Sequence, residues 1–293
     1  TNLSAENLVG LSGQSYAANM SGMAWEATAV IATIIMAFVF LPMYLRKGYT
    51  TLPEFMEERY GVGVRRMVSI LFLIGYLVIG IPVCLYAGAI AFEQIFDFAT
   101  VFGISGGGFI VGVKDVITSE PAKLNAIGGK NDPVPFACIF TGMLLANLFY
   151  WGTNQVLIQR ALGAENLKEG QKGVLLSGFL KMMVPLLLVI PGVIAARLVP
   201  GLTSKDFAYP SLVARSLPWP VVGLFCAALF GSIISTYNSF LNAASTVFMI
   251  DIYKPIFNPN LSEEATVKLA KKIGWGFAAF AIIFTPFLDV LST

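Results

Sequence analysis

The chain has 293 residues, of which 56% are hydrophobic and 12% are charged, whereas soluble domains contain about 45–50% apolar and about 25% charged residues. This composition excludes an ordinary soluble protein. The net charge of +2 provides no basic field for nucleic acid. The sequence has no histidine and only three cysteines, which removes histidine acid–base chemistry and most transition-metal sites. We therefore expect no enzyme.

Six apolar stretches predict membrane-spanning helices, because each reaches the roughly 20 residues that cross about 30 Å of hydrocarbon. The predicted spans are Met23–Leu45, Met67–Phe96, Val134–Leu162, Val174–Val199, Pro218–Ile250 and Thr266–Leu291. Positive charge alternates between the loops: Arg46–Arg66 contains five Lys or Arg residues, Arg160–Lys172 three and Lys254–Lys272 four, against two in Pro200–Leu217. The first three loops are expected in the cytoplasm. The sequence predicts an all-α, polytopic membrane protein.

Two places predict that the helical core is incomplete. The chain opens on the polar stretch Thr1–Gln14 without a preceding apolar half-helix. At Phe98/Ala99 it passes abruptly from an apolar span towards the Gly-rich segment Gly103–Gly112, which is too short to cross a membrane. We therefore predict one transmembrane core over residues 1–293, with segments missing before residue 1, near 98/99 and after 293.

Two charged residues fall inside predicted spans. Glu26 lies three residues into the first span, and Lys181 lies seven residues into the fourth. A charge at membrane depth is costly unless it faces water or an opposite charge. Both are therefore candidate binding residues. The alternatives are that Glu26 lies at the headgroup level and that Lys181 snorkels to the cytoplasmic interface.

The third span contains amides, aromatic residues and Gly152 between Ala146 and Gln155, which predicts a break in the helix. Broken helices at this depth are where transporters bind their cargo. Asn147 and Tyr150 share a helical face because they are three residues apart. The alternatives are that Asn147 is a packing amide between helices and that Trp151 is an ordinary packing aromatic.

The fifth span contains three hydroxyl residues at helical spacing, Ser232, Ser235 and Thr236. Two hydroxyls and a carbonyl freed by a helix break can form part of a site for a hard cation such as Na⁺. Ser and Thr are also common where membrane helices pack together. The remaining oxygen ligands would come from the polar stretch at the start of the chain, where Glu6 is a helix-capping residue rather than a ligand.

Several segments together resemble the solute:sodium symporter family, which includes the sodium/glucose cotransporters and bacterial sodium/galactose carriers. They are Asn2–Glu6, Gly10–Gly13, Tyr49–Tyr60, Ala146–Gln155 and Met249–Lys254. The resemblance implies a partial inverted-repeat core with broken first and sixth helices, in which the six spans are core helices two, three, six, seven, eight and nine. It also implies sodium-coupled import of a small neutral solute, a monosaccharide, across a bacterial plasma membrane. A solute sensor that does not transport and a passive channel are the alternatives.

The resemblance further implies a set of site residues. The sugar is expected to contact Asn7, Glu26, Asn147 and Lys181. Tyr150 matches the aromatic gate on the inner side of the sugar, with Trp151 beside it. The sodium ligands are expected to be the carbonyls of Leu3 and Ser232 and the hydroxyls of Ser235 and Thr236. Asn7 stands where sugar-binding relatives have Gln, and Ala29 where the bacterial galactose carrier has Ser, so the exact sugar stays open.

Overall fold

The computed structural model describes residues 5–96, 117–118 and 121–292, apart from the side chains of residues 5, 90, 92–96 and 287–292. The described part of the chain contains no β-strand, so the predicted all-α class is confirmed. The principal helices are α1 (Ala5–Ala17), α2 (Met20–Lys47), α3 (Leu52–Tyr60), α4 (62–96), α5 (Phe136–Thr153), α6 (Gln155–Leu162), α7 (Leu167–Leu198), α8 (Ala208–Ser216), α9 (Trp219–Phe257) and α10 (Glu263–Ser292). Leu3, Phe98/Ala99 and Gly103–Gly112 lie outside the described residues.

Among the described residues, five helices are long and apolar enough to cross a membrane: α2, α4 up to residue 89, α5, α7 and α9. They correspond to the first five predicted spans. The sixth predicted span, Thr266–Leu291, lies within α10, a helix of 30 residues. Its helical structure is confirmed, and its passage through the membrane stays a prediction.

Polar contacts identify the two ends of the helical bundle. At one end Arg65 reaches Asp251 in the last part of α9, and Gln155 Nε2 donates to Thr50 O at 3.0 Å. These residues come from, or lie beside, the loops rich in Lys and Arg, so we refer to this as the inner end. At the outer end, Tyr16 Oη donates to Val199 O at 3.1 Å. The alternation predicted from loop charge therefore agrees with the packing.

The short helix α1 lies among the longer helices. Val9 on its side packs in one buried cluster with Cys84 of α4 and with Leu229 and Ile233 of α9. On another side α1 crosses α7 so closely that a Cβ atom on Gly192 would lie 2.3 Å from the carbonyl oxygen of Ser12. Only glycine permits this approach. These contacts place α1 against the part of α9 that carries the predicted sodium ligands.

The break predicted between Ala146 and Gln155 is confirmed. Helix α5 ends at Thr153, Asn154 is extended with φ −75° and ψ 117°, and α6 begins at Gln155. Neighbouring helices satisfy the backbone groups that the break frees: Tyr44 Oη donates to Gly152 O at 2.8 Å, and Gln155 N donates to Tyr76 Oη at 3.2 Å. Buried backbone groups need such partners, so α2 and α4 stabilise the broken conformation.

Candidate functional site

The two charged residues predicted inside the membrane form an ion pair with each other. Lys181 Nζ lies 2.5 Å from Glu26 Oε2, and the two residues are 9% and 4% exposed. Each residue is therefore the opposite charge that the other requires, whereas the depth of Glu26 and Lys181 in the membrane stays a prediction. The pair joins α2 to the middle of α7. Its opposite charges balance, which lowers the cost of burying either one.

Asn147 contacts α2 at Trp25 and Thr28, within two residues of Glu26. Its Nδ2 lies 2.8 Å from Thr28 Oγ1 and 3.3 Å from the carbonyl oxygen of Trp25, the residue before Glu26. The side chain is 6% exposed. The structure thus brings Glu26, Asn147 and Lys181 to one short segment of α2. The amide packs α5 against α2, as the packing alternative expects, and contact between Asn147 and a solute stays a prediction.

The two aromatic residues after Asn147 have different surroundings. Trp151 is buried against Ala29 and Ala32 of α2, which favours the packing alternative for this residue. Tyr150 is 37% exposed, and its ring meets Trp151 edge to face with 6.4 Å between the centroids. The Tyr150 phenol lies within electrostatic range of the carboxylates of both Glu6 and Glu26. The role of Tyr150 as a gate stays a prediction.

Asn7, the fourth predicted sugar contact, lies in the first turn of α1 and is half-buried. Its neighbour Glu6 is within electrostatic range of Tyr150 and of Cys84 on α4. This places the start of α1 on the same side of the bundle as Tyr150. Contact between Asn7 and a solute stays a prediction.

A cavity of about 360 Å³ lies on the inner side of Trp151. Its walls come from α2, α6 and α7, and they include Met36, Arg160, Glu169 and Ser177. Because Asn147 precedes Trp151 by one helical turn towards the outer end, the order from outside to inside is the ion pair, the aromatic residues and this cavity. Trp151 thus separates the polar cluster from the inner cavity.

The predicted sodium ligands of the fifth span lie on α9. Thr236 is buried, and Ser232 and Ser235 are partly buried. Helix α9 is α-helical without interruption from Trp219 to Val247, so the expectation that a helix break frees the carbonyl of Ser232 is wrong. That oxygen can reach a cation only through the lone pair that the helix leaves unused. The buried contact between Val9 and Ile233 brings α1 to the same place, whereas Leu3 lies outside the described residues.

Sequence reasoning missed the polar residues that position the site. Thr28 binds Asn147, Tyr44 and Tyr76 bind the broken helix, and Gln155 anchors α6 to the loop before α3. A signal for Tyr76 was its polar hydroxyl inside an apolar span. Thr28 gave little signal, because a threonine in a membrane helix commonly bonds its own backbone.

Comparisons with known proteins give the family. The model of the "Sodium:solute symporter family" matches residues 1–118 and 107–285. The chain is 39% identical to an uncharacterized symporter of Escherichia coli (strain K12), YidK, covering 98% of this chain and 60% of that protein. It is 29% identical to the sodium/glucose cotransporter of Vibrio parahaemolyticus, over 98% of this chain and 65% of the relative. It is 26% identical to the human sodium/myo-inositol cotransporter 2, over 98% of this chain and 54% of the relative.

The fold is similar to a solved structure. A Na⁺-coupled sialic acid symporter in a substrate-bound outward-open state superimposes with a TM-score of 0.82 over 99% of this chain and 72% of that one, at 16% identity. This likeness supports the helical fold. Because the family model covers nearly the whole sequence, the chain belongs to the sodium:solute symporter family.

Proposed function

We propose that the protein is a sodium-coupled secondary active symporter that imports a small neutral polar solute, a monosaccharide, across a bacterial plasma membrane. The observation that carries this proposal is the buried Glu26–Lys181 pair beside Asn147. Because the two charges balance, the solute brings no net charge into the site. Their unused donors and acceptors suit a molecule with several hydroxyl groups.

A sugar fits this set of groups better than an amino acid does. The ammonium of an amino acid would pair with Glu26 and its carboxylate with Lys181, so an amino acid would break the Glu26–Lys181 ion pair. Sugar hydroxyls can form hydrogen bonds to both residues while the ion pair stays intact. The exposed ring of Tyr150 suits the flat apolar face of a sugar. Two relatives are named as cotransporters of sodium with glucose or myo-inositol, and both named solutes are neutral and rich in hydroxyls.

Sodium coupling is proposed to use Ser235 and Thr236 of α9 together with backbone oxygens. These residues lie where α1 packs against α9, so a cation held by both helices fixes their relative position. Na⁺ then stabilises the outward-open arrangement, and the solute completes the site before one repeat rocks against the other. By linkage, sodium raises the affinity for the solute as much as the solute raises that for sodium.

Uptake by the intact protein in proteoliposomes tests the proposal. The panel contains labelled D-glucose, D-galactose, myo-inositol, a nucleoside and sialic acid, each measured with an inward gradient of Na⁺ or of K⁺. We expect accumulation of a monosaccharide above its external concentration only with Na⁺. Binding without accumulation would indicate a sensor, uptake that stops at equal concentrations a channel, and preference for sialic acid would contradict a neutral solute.

The sodium ligands can be tested separately. Ser235→Ala and Thr236→Val remove one hydroxyl ligand each, so both should raise the Na⁺ concentration needed for half-maximal uptake severalfold without lowering expression. Thr285→Val is the matched control, because the Thr285 hydroxyl bonds Ala281 O on its own helix at 2.8 Å. An unchanged sodium requirement in both test variants would contradict this assignment.

A further inference from the structure

Thr28 is a buried residue of α2 to which neither the sequence nor the family comparison assigned a role. It is 3% exposed and lies two residues after Glu26. Its hydroxyl donates to Ala24 O at 2.8 Å and accepts from Asn147 Nδ2 at 2.8 Å. A hydroxyl has one hydrogen. Because Ala24 takes that hydrogen, Thr28 can act towards Asn147 only as an acceptor.

The backbone around Asn147 favours the same orientation of its amide. Nδ2 also lies 3.3 Å from Trp25 O and 3.3 Å from Met143 O. Carbonyl oxygens accept hydrogen bonds and never donate them. If the amide turned over, its oxygen would face two carbonyls and the lone pairs of Thr28 at the same time. The surroundings therefore select one of the two orientations that an asparagine side chain can take.

We infer that Thr28 is a positioning residue that holds Asn147 as a hydrogen-bond acceptor towards the solute. The two N–H groups of Asn147 are directed at three protein acceptors, so the amide oxygen is the atom that Asn147 offers to the solute. The solute group at this position must be a donor, such as a hydroxyl, and not an ether or carbonyl oxygen. This inference rests on the proposed binding of a solute at Asn147.

Substituted sugars test the predicted polarity in the intact wild-type protein. For whichever of D-glucose and D-galactose is taken up, the probes are its monodeoxy and monofluoro derivatives as competitors of uptake. Fluorine accepts weakly but cannot donate, so at one ring position the fluoro derivative should compete as poorly as the deoxy derivative. Fluoro derivatives that compete as well as the parent sugar at every position would overturn the inference.

Variants of Thr28 test the positioning. Thr28→Val keeps the shape but removes the hydroxyl, so it should raise KM for uptake about tenfold while Vmax changes less than about twofold. Thr28→Ser should restore the wild-type KM. Thr33→Val is the control, because Thr33 is also buried in α2 and donates its hydroxyl to Val30 O of the same helix. An unchanged KM in Thr28→Val would overturn the role of Thr28.

A measurement without any solute separates this inference from the proposed function. Selective ¹⁵N-asparagine labelling of the intact protein reports the Asn147 side-chain amide by NMR, assigned from its loss in Asn147→Asp. We expect an amide proton shifted by hydrogen bonding in the wild type, Thr28→Ser and Thr33→Val, and moved in Thr28→Val. An unmoved resonance in Thr28→Val would contradict the positioning, whereas failure to take up any monosaccharide would contradict only the proposed sugar.

Discussion

In the part of the chain that the structure describes, two groups of charges are built in different ways, one buried and one partly exposed. In the middle of the bundle, Glu26 and Lys181 form one ion pair. At the inner end, Arg65 contacts three carboxylates, those of Glu54, Glu57 and Asp251, which with Arg65 we call the inner charge cluster. The cluster connects α3, α4 and the end of α9.

The difference lies in how much binding capacity each group keeps. Arg65 uses its nitrogens in several directions: Nε donates to Asp251 Oδ1 at 2.8 Å, Nη2 to Ile250 O at 3.0 Å, and Nη1 to Glu57. A guanidinium bound in this way is fixed in place. A single ion pair engages only one of the three ammonium donors of Lys181. The inner charge cluster is therefore suited to holding helices together. The Glu26–Lys181 pair, which we call the membrane pair, keeps donors with which we propose that it binds a solute.

The largest expected effect is the loss of Arg65. Arg65→Met leaves three neighbouring carboxylates without their shared cation, and Asp251 among them is 1% exposed. Breaking a buried ion pair from one side costs about 3–5 kcal/mol, so we expect a large drop in unfolding temperature and poor recovery of the intact protein from detergent. Fluorescence-detected size exclusion after heating measures this.

A second substitution and a surface control test whether the loss of stability in Arg65→Met comes from the unpaired carboxylates. Adding Asp251→Asn to Arg65→Met removes one of the stranded charges and should recover part of the lost stability. Lys47→Met is the control, because the Lys47–Glu58 pair is about half exposed and exposed pairs contribute about 0–1 kcal/mol. If Arg65→Met is no less stable than Lys47→Met, the inner charge cluster is not structural.

The next largest effect concerns the membrane pair. Glu26→Gln exchanges a charge-assisted hydrogen bond for a neutral one and should weaken solute binding by about 1–3 kcal/mol. Lys181→Met leaves Glu26 buried without its cation, so it should lower both stability and uptake. The double variant Glu26→Gln/Lys181→Met should regain stability but not uptake. Recovery of uptake in the double variant would show that the pair serves packing and not the solute.

Much of this architecture could be predicted from the sequence. The length of the apolar stretches predicted the helical class, because a helix must match the thickness of the membrane. The charges of the loops predicted which loops lie together at one end of the bundle. Gly152 and its neighbouring amides gave the break, since irregular backbone needs polar support at that depth. Glu26 and Lys181 could be identified as candidate site residues because a charged side chain inside the membrane is energetically costly.

What the sequence did not give are contacts between residues far apart in the chain. The pairing of Glu26 with Lys181 follows from the packing of α2 on α7, which brings together residues 155 positions apart. The sequence also predicted a helix break near Ser232, whereas α9 is continuous there. Ser239 illustrates the physical reason: its hydroxyl donates to Ser235 O at 2.6 Å, so a polar residue in this helix bonds its own backbone without interrupting the helix.

The last prediction concerns Gln155, directly after the helix break, whose loss should have the smallest effect on solute binding. Gln155 is fully buried, and Gln155→Leu removes its bonds to Thr50 O at 3.0 Å and to Leu52 N at 3.4 Å. Two backbone groups then lose a partner, which should lower the free energy of unfolding by about 1–3 kcal/mol.

Because these contacts lie at the inner end, KM for the solute should stay within about twofold of wild type, in contrast to Glu26→Gln. Gln159→Leu is the comparison variant on α6. The Gln159 side chain contacts Val156 O at 3.5 Å, Ser239 O at 3.4 Å and Asn242 Nδ2 at 3.0 Å, but these bonds are part-buried or exposed, so its stability should fall less than that of Gln155→Leu. Thermal unfolding and uptake kinetics of both variants measure the two quantities. A rise in KM for Gln155→Leu as large as that for Glu26→Gln would mean that the inner end controls solute binding, and the separation between the two charge groups would then fail.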